Sequence, residues 1–338
     1  MIVFDETYYR RVIGEYGYDP LDFQPINFAL RGLDAEVLKK KWLCHHEGNA
    51  FAVGLHSGAK CIVTTGFGLS GTPHVGTISQ MLGAILLQRA GLRVQIVLGD
   101  LDSYNARNQP LNVVKERASQ YAEFVTRLGF DSRQGILRTQ VDYLDVLLTA
   151  YLIANCLTDG DFKHAEEDLS QLYQQRGIYP GIEFPVKLAT LLMTADFMHL
   201  GNEYDYVLVM LGLDEHRYIQ LAKKVVTRMH LKMSIAGIYS RMNKGLSGYP
   251  KMSKSIPGSA ITADMNPDII KDSILNHEGP YATPMDSVVY QMMCSTSYYT
   301  PGELDLLYQT CQAGGALWQK RKAEYGDMLI EICSRWPQ

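Results

Sequence analysis

The chain reads as an α/β protein: a doubly wound parallel sheet with a helical insertion and a small helical C-terminal domain. Four short apolar runs lead to that reading, CIVTTG at 61–66, VQIVLG at 94–99, GILRT at 135–139 and YVLVML at 206–211. Each is preceded or followed by a helical pattern, and short apolar strands alternating with helices indicate a parallel sheet covered on both faces. At 338 residues and 38.0 kDa the chain is about twice a usual domain, enough for a buried core and a cleft.

After the first run, Val75, Ile78, Leu82, Ile85 and Leu86 recur at helical spacing behind His74, until Gly91 stops the pattern. A second helical stretch at 113–128 puts Val114, Ala118, Tyr121, Val125 and Leu128 on one face. Residues 143–194 read as mostly helical, interrupted at Thr158-Asp159-Gly160 and Tyr179-Pro180-Gly181, and form an insertion between the two halves of the sheet. The segment 241–257 mixes glycine, proline, lysine and serine with little apolar periodicity, so an exposed, mobile loop is expected. Asn266-Pro267 opens a last helical region that runs to Gln338.

Composition narrows the function classes. Apolar residues make up 46% and charged residues 20%, and no run approaches the roughly 20 apolar residues of a membrane span. The first residues hold no basic segment followed by an apolar core, so the expected compartment is the cytoplasm. Six widely spaced cysteines without a CxxC argue against a zinc ribbon or a disulfide framework, and are expected to be reduced. A net charge of −4 excludes a uniformly basic nucleic-acid binder, though not a local basic face for a folded RNA.

Two segments carry chemistry. The first is the turn Thr64-Thr65-Gly66-Phe67-Gly68-Leu69-Ser70-Gly71-Thr72-Pro73-His74-Val75-Gly76-Thr77, a strand, a glycine-rich turn and a helix start, which together bring N–H groups to a phosphate. Gly66 and Gly68 let a ligand approach the backbone, Gly76 leaves room for a flat ring, and His74 can donate to a phosphate oxygen. Such turns also arise for steric reasons alone. The absence of GxxxxGK[ST] excludes a P-loop. The second segment is Lys251-Met252-Ser253-Lys254-Ser255, whose two ammonium groups could close over a triphosphate and stabilise the charge that develops as pyrophosphate leaves.

In this order the two segments resemble the His-Ile-Gly-His and Lys-Met-Ser-Lys-Ser signatures of class I aminoacyl-tRNA synthetases. The stretches AKCIVTTGFGLSGTPHVGT, VLGDLDSYNAR and YVLVMLGLDEHRYIQLAKKVVTRM further resemble the archaeal and eukaryotic type of tryptophanyl-tRNA synthetase. The likeness covers about residues 20–320. It implies a helical lead-in at 1–55, a Rossmann-like catalytic domain at 56–260 with the insertion at 143–194 and the lysine loop at 241–257, and a short helical domain at 261–338. It also implies ATP with magnesium bridging its phosphates, a homodimer, and a carboxylate that attacks the α-phosphate to give an aminoacyl adenylate, followed by transfer to tRNA.

Carried over by position, the resemblance assigns catalysis to His74, Thr77, Lys251 and Lys254. ATP binding falls to Gly66, Gly68, His74, Gly76, Thr77, Met252, Ser253, Lys254 and Ser255, and the amino-acid pocket to Thr64, Val97, Asp102, Asp214 and Glu215. No metal ligand is assigned. Three departures stand out: Thr77 replaces the family's second histidine, the pocket positions differ, and the stretch after Ser255 is shorter than the family's anticodon-reading domain. The altered pocket is expected to reject tryptophan. Its surplus carboxylates suggest a substrate carrying donors, a cationic one included; the alternative is a smaller apolar pocket with Glu215 turned elsewhere. The acceptor also stays open: tRNA, a small amine or carrier protein in a tRNA-independent ligase, or none in a non-catalytic binding protein.

The remaining candidates have plainer readings. Cys44-His45-His46 lacks a second ligand pair and reads as surface or helix residues. His216 and Arg217 either touch a ligand or open a helix. His164, Glu166, Glu167 and Asp168 read as a solvated face, and Met292, Met293, Tyr298 and Tyr299 as core. The clusters at 39–41, at Lys223-Lys224 with Arg228, and at 320–322 could meet tRNA phosphates, though such runs are usually solvated.

Overall fold

The four apolar runs all become neighbouring strands. The computed structural model describes residues 5–20, 30, 33, 35–165, 167, 183–249, 251, 252 and 258–337. Among these the strands are β1 (Asp19–Pro20), β2 (Cys44–His46), β3 (Cys61–Gly68), β4 (Val94–Gly99), β5 (Ile136–Thr139), β6 (Tyr206–Gly212) and β7 (Ser234–Ser240), in the sheet order β1-β2-β7-β6-β3-β4-β5. β7, β6, β3, β4 and β5 run parallel, while β2 pairs antiparallel with β7 and β1 antiparallel with β2. The chain builds outward from β3 to β5, then returns to place β6 on the other side of β3. That reversal is the switch point of a doubly wound sheet, where the carboxyl ends of β3 and β6 part.

Helices cover both faces. In chain order they are α1 (Glu6–Tyr16), α2 (Ala35–Lys41), α3 (Gly48–His56), α4 (Val75–Arg89), α5 (Asp100–Arg107), α6 (Leu111–Leu128), α7 (Leu144–Ala154), α8 (Asp159–Ala165), α9 (Phe184–His199), α10 (His216–Arg228), α11 (Pro267–Asn276), α12 (Val288–Ser295), α13 (Pro301–Ala313) and α14 (Gly315–Cys333). On one face Val63, Phe67, Ile96 and Leu98 pack with α4 and α6, and this core runs on into Tyr290, Trp318 and Tyr325 of the last helices. On the other, Ile62, Val207, Val209 and Tyr239 pack with α1, α7, α9 and α10. The predicted face of α6 is buried throughout, and Gly129 ends the helix at φ 115, a conformation that glycine adopts without strain. Asn266 caps α11 by accepting from the Asp268 N–H. All six cysteines are free thiols, and among the described residues no helix is long and apolar enough to cross a membrane.

Several expectations change. The region 1–55 is not purely helical, because β1 and β2 extend the sheet beyond β7. Cys44-His45-His46 is therefore strand rather than surface or helix: Cys44 and His45 are buried, and His45 Nδ1 accepts from the Gly48 N–H at 3.2 Å. Burial and the neighbouring Lys223 push the His46 pKa down to about 4. The segment 241–257 is only partly exposed in its described residues. Asn243, Leu246 and Met252 are buried, held by Leu246 N–H to Ser259 O at 3.0 Å and Met252 N–H to Asn243 O at 3.0 Å. Met292 and Met293 are core as expected, whereas Tyr298 is 44% exposed because it follows the end of α12 and turns outward. The predicted break at 179–181, together with Glu166 and Asp168, lies outside the described residues.

The basic clusters are largely engaged within the chain. Lys39 pairs with Glu36, Lys40 with Asp305, Lys223 with Glu47, Lys224 and Arg228 with Asp161, and Lys322 with Glu278. Burial opposes ionisation of Asp161, yet hydrogen bonds from Arg228, Thr158 and Lys224 hold its carboxyl well below the usual range. Burial pushes the Lys41 pKa down to about 8.

Candidate active site

A cleft of about 190 Å³ opens at the switch point, lined by residues from the ends of β3, β6 and β7, the start of α4, and Lys251 and Met252. His74 is the hinge between turn and helix. It caps α4 in an extended conformation (φ −88, ψ 169), and its Nδ1 accepts from the Thr77 N–H at 3.3 Å. That bond assigns the ring proton to Nε2, so the outer edge of the imidazole is a donor. An added Cβ at Gly76 would stand 2.8 Å from His74 Cε1 and 3.1 Å from Nδ1. The His74 imidazole therefore packs directly against Gly76.

The turn that carries His74 is held from both sides. The Leu69 N–H donates to Ser103 Oγ at 2.6 Å, Arg117 Nη1 donates to Leu69 O at 2.5 Å, and Tyr121 Oη donates to Gly71 O at 2.8 Å. Beyond the lysine loop the chain returns to the same place, with the Val75 N–H on Ile261 O and the Ala263 N–H on Pro73 O, both at 3.0 Å. Donors fixed in this way need no reorganisation when charge develops beside them. The two strand glycines meet their own neighbours: an added Cβ at Gly66 would lie 3.3 Å from Val97 O, and one at Gly68 would lie 3.6 Å from Asp102 Oδ2.

Across the cleft, β6 ends in a tight turn that sets two carboxylates side by side. Asp214 is 5% exposed and takes Lys251 Nζ on Oδ2 at 2.6 Å; its Oδ1 is buried without a partner among the described residues. Glu215 accepts from the Gly212 N–H at 3.4 Å. Burial and the charge of Asp214 outweigh the pull of Lys251 and push the Glu215 pKa up to about 8.

His74, Thr77, Gly66, Gly68, Gly76, Asp214, Glu215, Lys251 and Met252 all line this cleft, and Ser253, Lys254 and Ser255 lie outside the described residues. Thr64 and Val97 are buried beneath α5 and α9 and do not line it, and neither does Asp102. Among the lining residues that were not assigned to the site from sequence are Arg241 and Gln80. Arg241 is paired with Glu6 and lies 5.4 Å from the Tyr9 ring, and Gln80 donates to Ser240 Oγ at 3.1 Å. Recognition of β7 would have flagged Arg241, which follows the strand directly. His216 and Arg217 turn away: His216 Nδ1 meets Tyr18 Oη at 3.0 Å, and Arg217 meets His164 at 3.0 Å and Glu167 at 3.3 Å. His164 and Glu167 are partners of Arg217 while their side chains, 38% and 46% exposed, keep to the solvated face expected of them.

Comparison with known proteins agrees with this geometry. The family model for tRNA synthetases class I (W and Y) matches residues 56–277. The tryptophan–tRNA ligase of Aeropyrum pernix is 24% identical over 335 residues, covering 91% of this chain and 85% of that protein. The tyrosine–tRNA ligase of Picrophilus torridus is 26% identical over 229 residues, covering 62% of this chain and 65% of that protein. The crystal structure of tryptophanyl-tRNA synthetase from Aeropyrum pernix K1 has the same fold, with a TM-score of 0.78 at 20% identity over 98% of this chain and 92% of that one. On the family match over residues 56–277, this chain belongs to the class I tRNA synthetases of the tryptophan and tyrosine type.

Proposed function

We propose that the protein activates an amino acid with ATP and then transfers the aminoacyl group to tRNA. The observation that carries the reading is the juxtaposition of the His74 imidazole, set as a donor by Thr77, with Lys251 across one cleft at the carboxyl ends of β3 and β6. The substrate carboxylate attacks the α-phosphate in line. His74 and the helix start donate to phosphate oxygens, while Lys251 stabilises the charge that passes to the departing pyrophosphate. Lys254, Ser253 and Ser255 are assigned the same task on resemblance, Thr77 supplies a hydroxyl, and Gly66, Gly68, Gly76 and Met252 shape the nucleotide side. Magnesium would arrive with ATP and neutralise phosphate charge; among the described residues no group of three His, Cys, Asp or Glu is gathered to hold it.

Asp214 is the natural anchor for the substrate ammonium, with Glu215 beside it and Thr64, Val97 and Asp102 set behind the cleft lining at the far end of the amino-acid pocket. A cytoplasmic homodimer, as the resemblance implies, is part of the same proposal. An apolar stripe on α7, formed by Leu144, Leu148, Tyr151 and Leu152 at 55% to 80% exposure, supports self-association. A ligase that passes the aminoacyl group to a small amine or carrier protein is the second reading, favoured by the internal pairing of the basic clusters. Amino-acid-dependent exchange of pyrophosphate into ATP, followed by acylation of total tRNA, tests the proposal. Exchange without acylation, and without tRNA binding even at low salt, would select the second reading, because phosphate contacts strengthen steeply as salt falls.

A further inference from the structure

Strand periodicity turns Thr64 and Gly66 of β3, Gln95 and Val97 of β4, and Arg138 of β5 to one face of the sheet, in register Thr64 with Gln95, Gly66 with Val97 and Val97 with Arg138. This is the face on which α5 and α9 lie, and it adjoins the glycine-rich turn. A side chain extending inward from a carboxylate held at that turn would run along it. The face is filled. Gln95 Nε2 donates to Thr64 Oγ1 at 3.0 Å, Arg138 Nε donates to Gln95 Oε1 at 3.2 Å, and Arg138 Nη2 donates to Asp196 Oδ1 at 2.5 Å. Gln140 Nε2 donates to Asp196 Oδ2 at 3.0 Å, and Gln140 Oε1 accepts from the Asp102 N–H at 2.9 Å.

Two pocket candidates, Thr64 and Asp102, are thus the ends of one buried polar chain. Arg138 and Asp196 are each only 4% exposed, and both oxygens of Asp196 are used. The cleft stops short of them: its lining includes Gly66 and Gly68 but none of Thr64, Val97, Arg138 or Asp196. An indole or phenol could enter only by displacing an ion pair whose bonds are already made, and separating one buried charge from its partner is strongly unfavourable.

We infer that the chain Thr64–Gln95–Arg138–Asp196–Gln140 closes the far end of the amino-acid pocket, and that the amino acid activated has a short side chain, of the size of alanine or serine, rather than an aromatic one. This rests on the activation reading for the location of the pocket. It also departs from the cationic substrate suggested by counting acidic residues, since Asp196 is already matched by Arg138 and Asp214 by Lys251.

The test is calorimetric titration of the intact protein with individual amino acids in the presence of a non-hydrolysable ATP analogue. Alanine or serine should bind about a hundredfold more tightly than tryptophan or tyrosine, the scale of discrimination that a shaped pocket can supply. Aromatic amino acids binding as tightly as short ones, or no amino acid binding at all, would overturn the inference. The double substitution Arg138→Ala with Asp196→Ala removes both charges together and should raise affinity for aromatic amino acids at least about tenfold, with folding checked by circular dichroism. An unchanged preference in the folded double variant would also overturn it; if that variant does not fold, the wild-type panel decides. Short amino acids that bind but drive no pyrophosphate exchange would leave the pocket inference standing and remove the activation reading instead.

Discussion

Lys251 Nζ lies 2.6 Å from Asp214 Oδ2, which ties the first lysine of the Lys-Met-Ser-Lys-Ser segment to the end of β6, across the cleft from His74. The bond places the ammonium at the edge of the site with a side chain 16% exposed, and an incoming phosphate has to compete with Asp214 for it. Replacement by alanine should lower the activation rate about a hundredfold or more, about 2.7 to 4 kcal/mol of transition-state stabilisation. ATP affinity in the ground state should change much less, as separate measurements of kcat and KM would reveal.

Glu215 gives stability a pH dependence of its own. Its pKa is raised from an ordinary 4.5 to about 8, first by burial and then by Asp214, so between those values the folded chain binds more protons than the unfolded one. The stability associated with the neutral carboxyl is present below pH 4.5 and is lost as pH rises towards 8. Thermal melts of Glu215→Gln should fall less steeply across this window than those of the parent, with the largest gain at its upper end. Parallel curves would contradict the assignment.

Gly76 has no room for a methyl group beside the His74 ring, where an added Cβ would sit 2.8 Å from Cε1. Gly76→Ala should push the imidazole off its bond to Thr77 and lower activation about a hundredfold, the penalty expected for misplacing a catalytic group by about 1 Å. Helix α4 tolerates alanine, so the melting temperature should move little. A variant with intact activity would show that the position of the ring does not matter.

The stripe on α7 tests self-association separately from chemistry. Leu148 is 58% exposed, and Leu144 and Leu152 lie one turn away on the same side. Leu148→Arg should convert a dimer to monomer in sedimentation at micromolar concentration without unfolding the chain. A parent protein that is already monomeric would remove the dimer from the account.

β3, β4 and β6 were legible because they are largely buried and read as apolar runs, whereas β5, half-buried at the sheet edge, showed only a short one. β7 was not, since Ser234, Gly237 and Ser240 interrupt it, and its apolar residues are too few to stand out. β1 and β2 are too short for any periodicity and exist because β7 offers an edge to pair with. At the site, the glycine turn and Lys251 were recognisable from residue type and order, both being local features. The network through Arg138 and Asp196 was not, because its members come from four elements and each alone looks like an ordinary polar residue. The raised pKa of Glu215 likewise depends on its burial beside Asp214, which spacing does not report.

The central claim is that the cleft between His74 and Lys251 forms an aminoacyl adenylate. Its most direct test is exchange of labelled pyrophosphate into ATP by the wild-type protein against each of the twenty amino acids in turn. The account predicts exchange that depends on one amino acid or a small group and falls about a hundredfold in Lys251→Ala. Exchange with none of them, or an equal rate in the alanine variant, would contradict it.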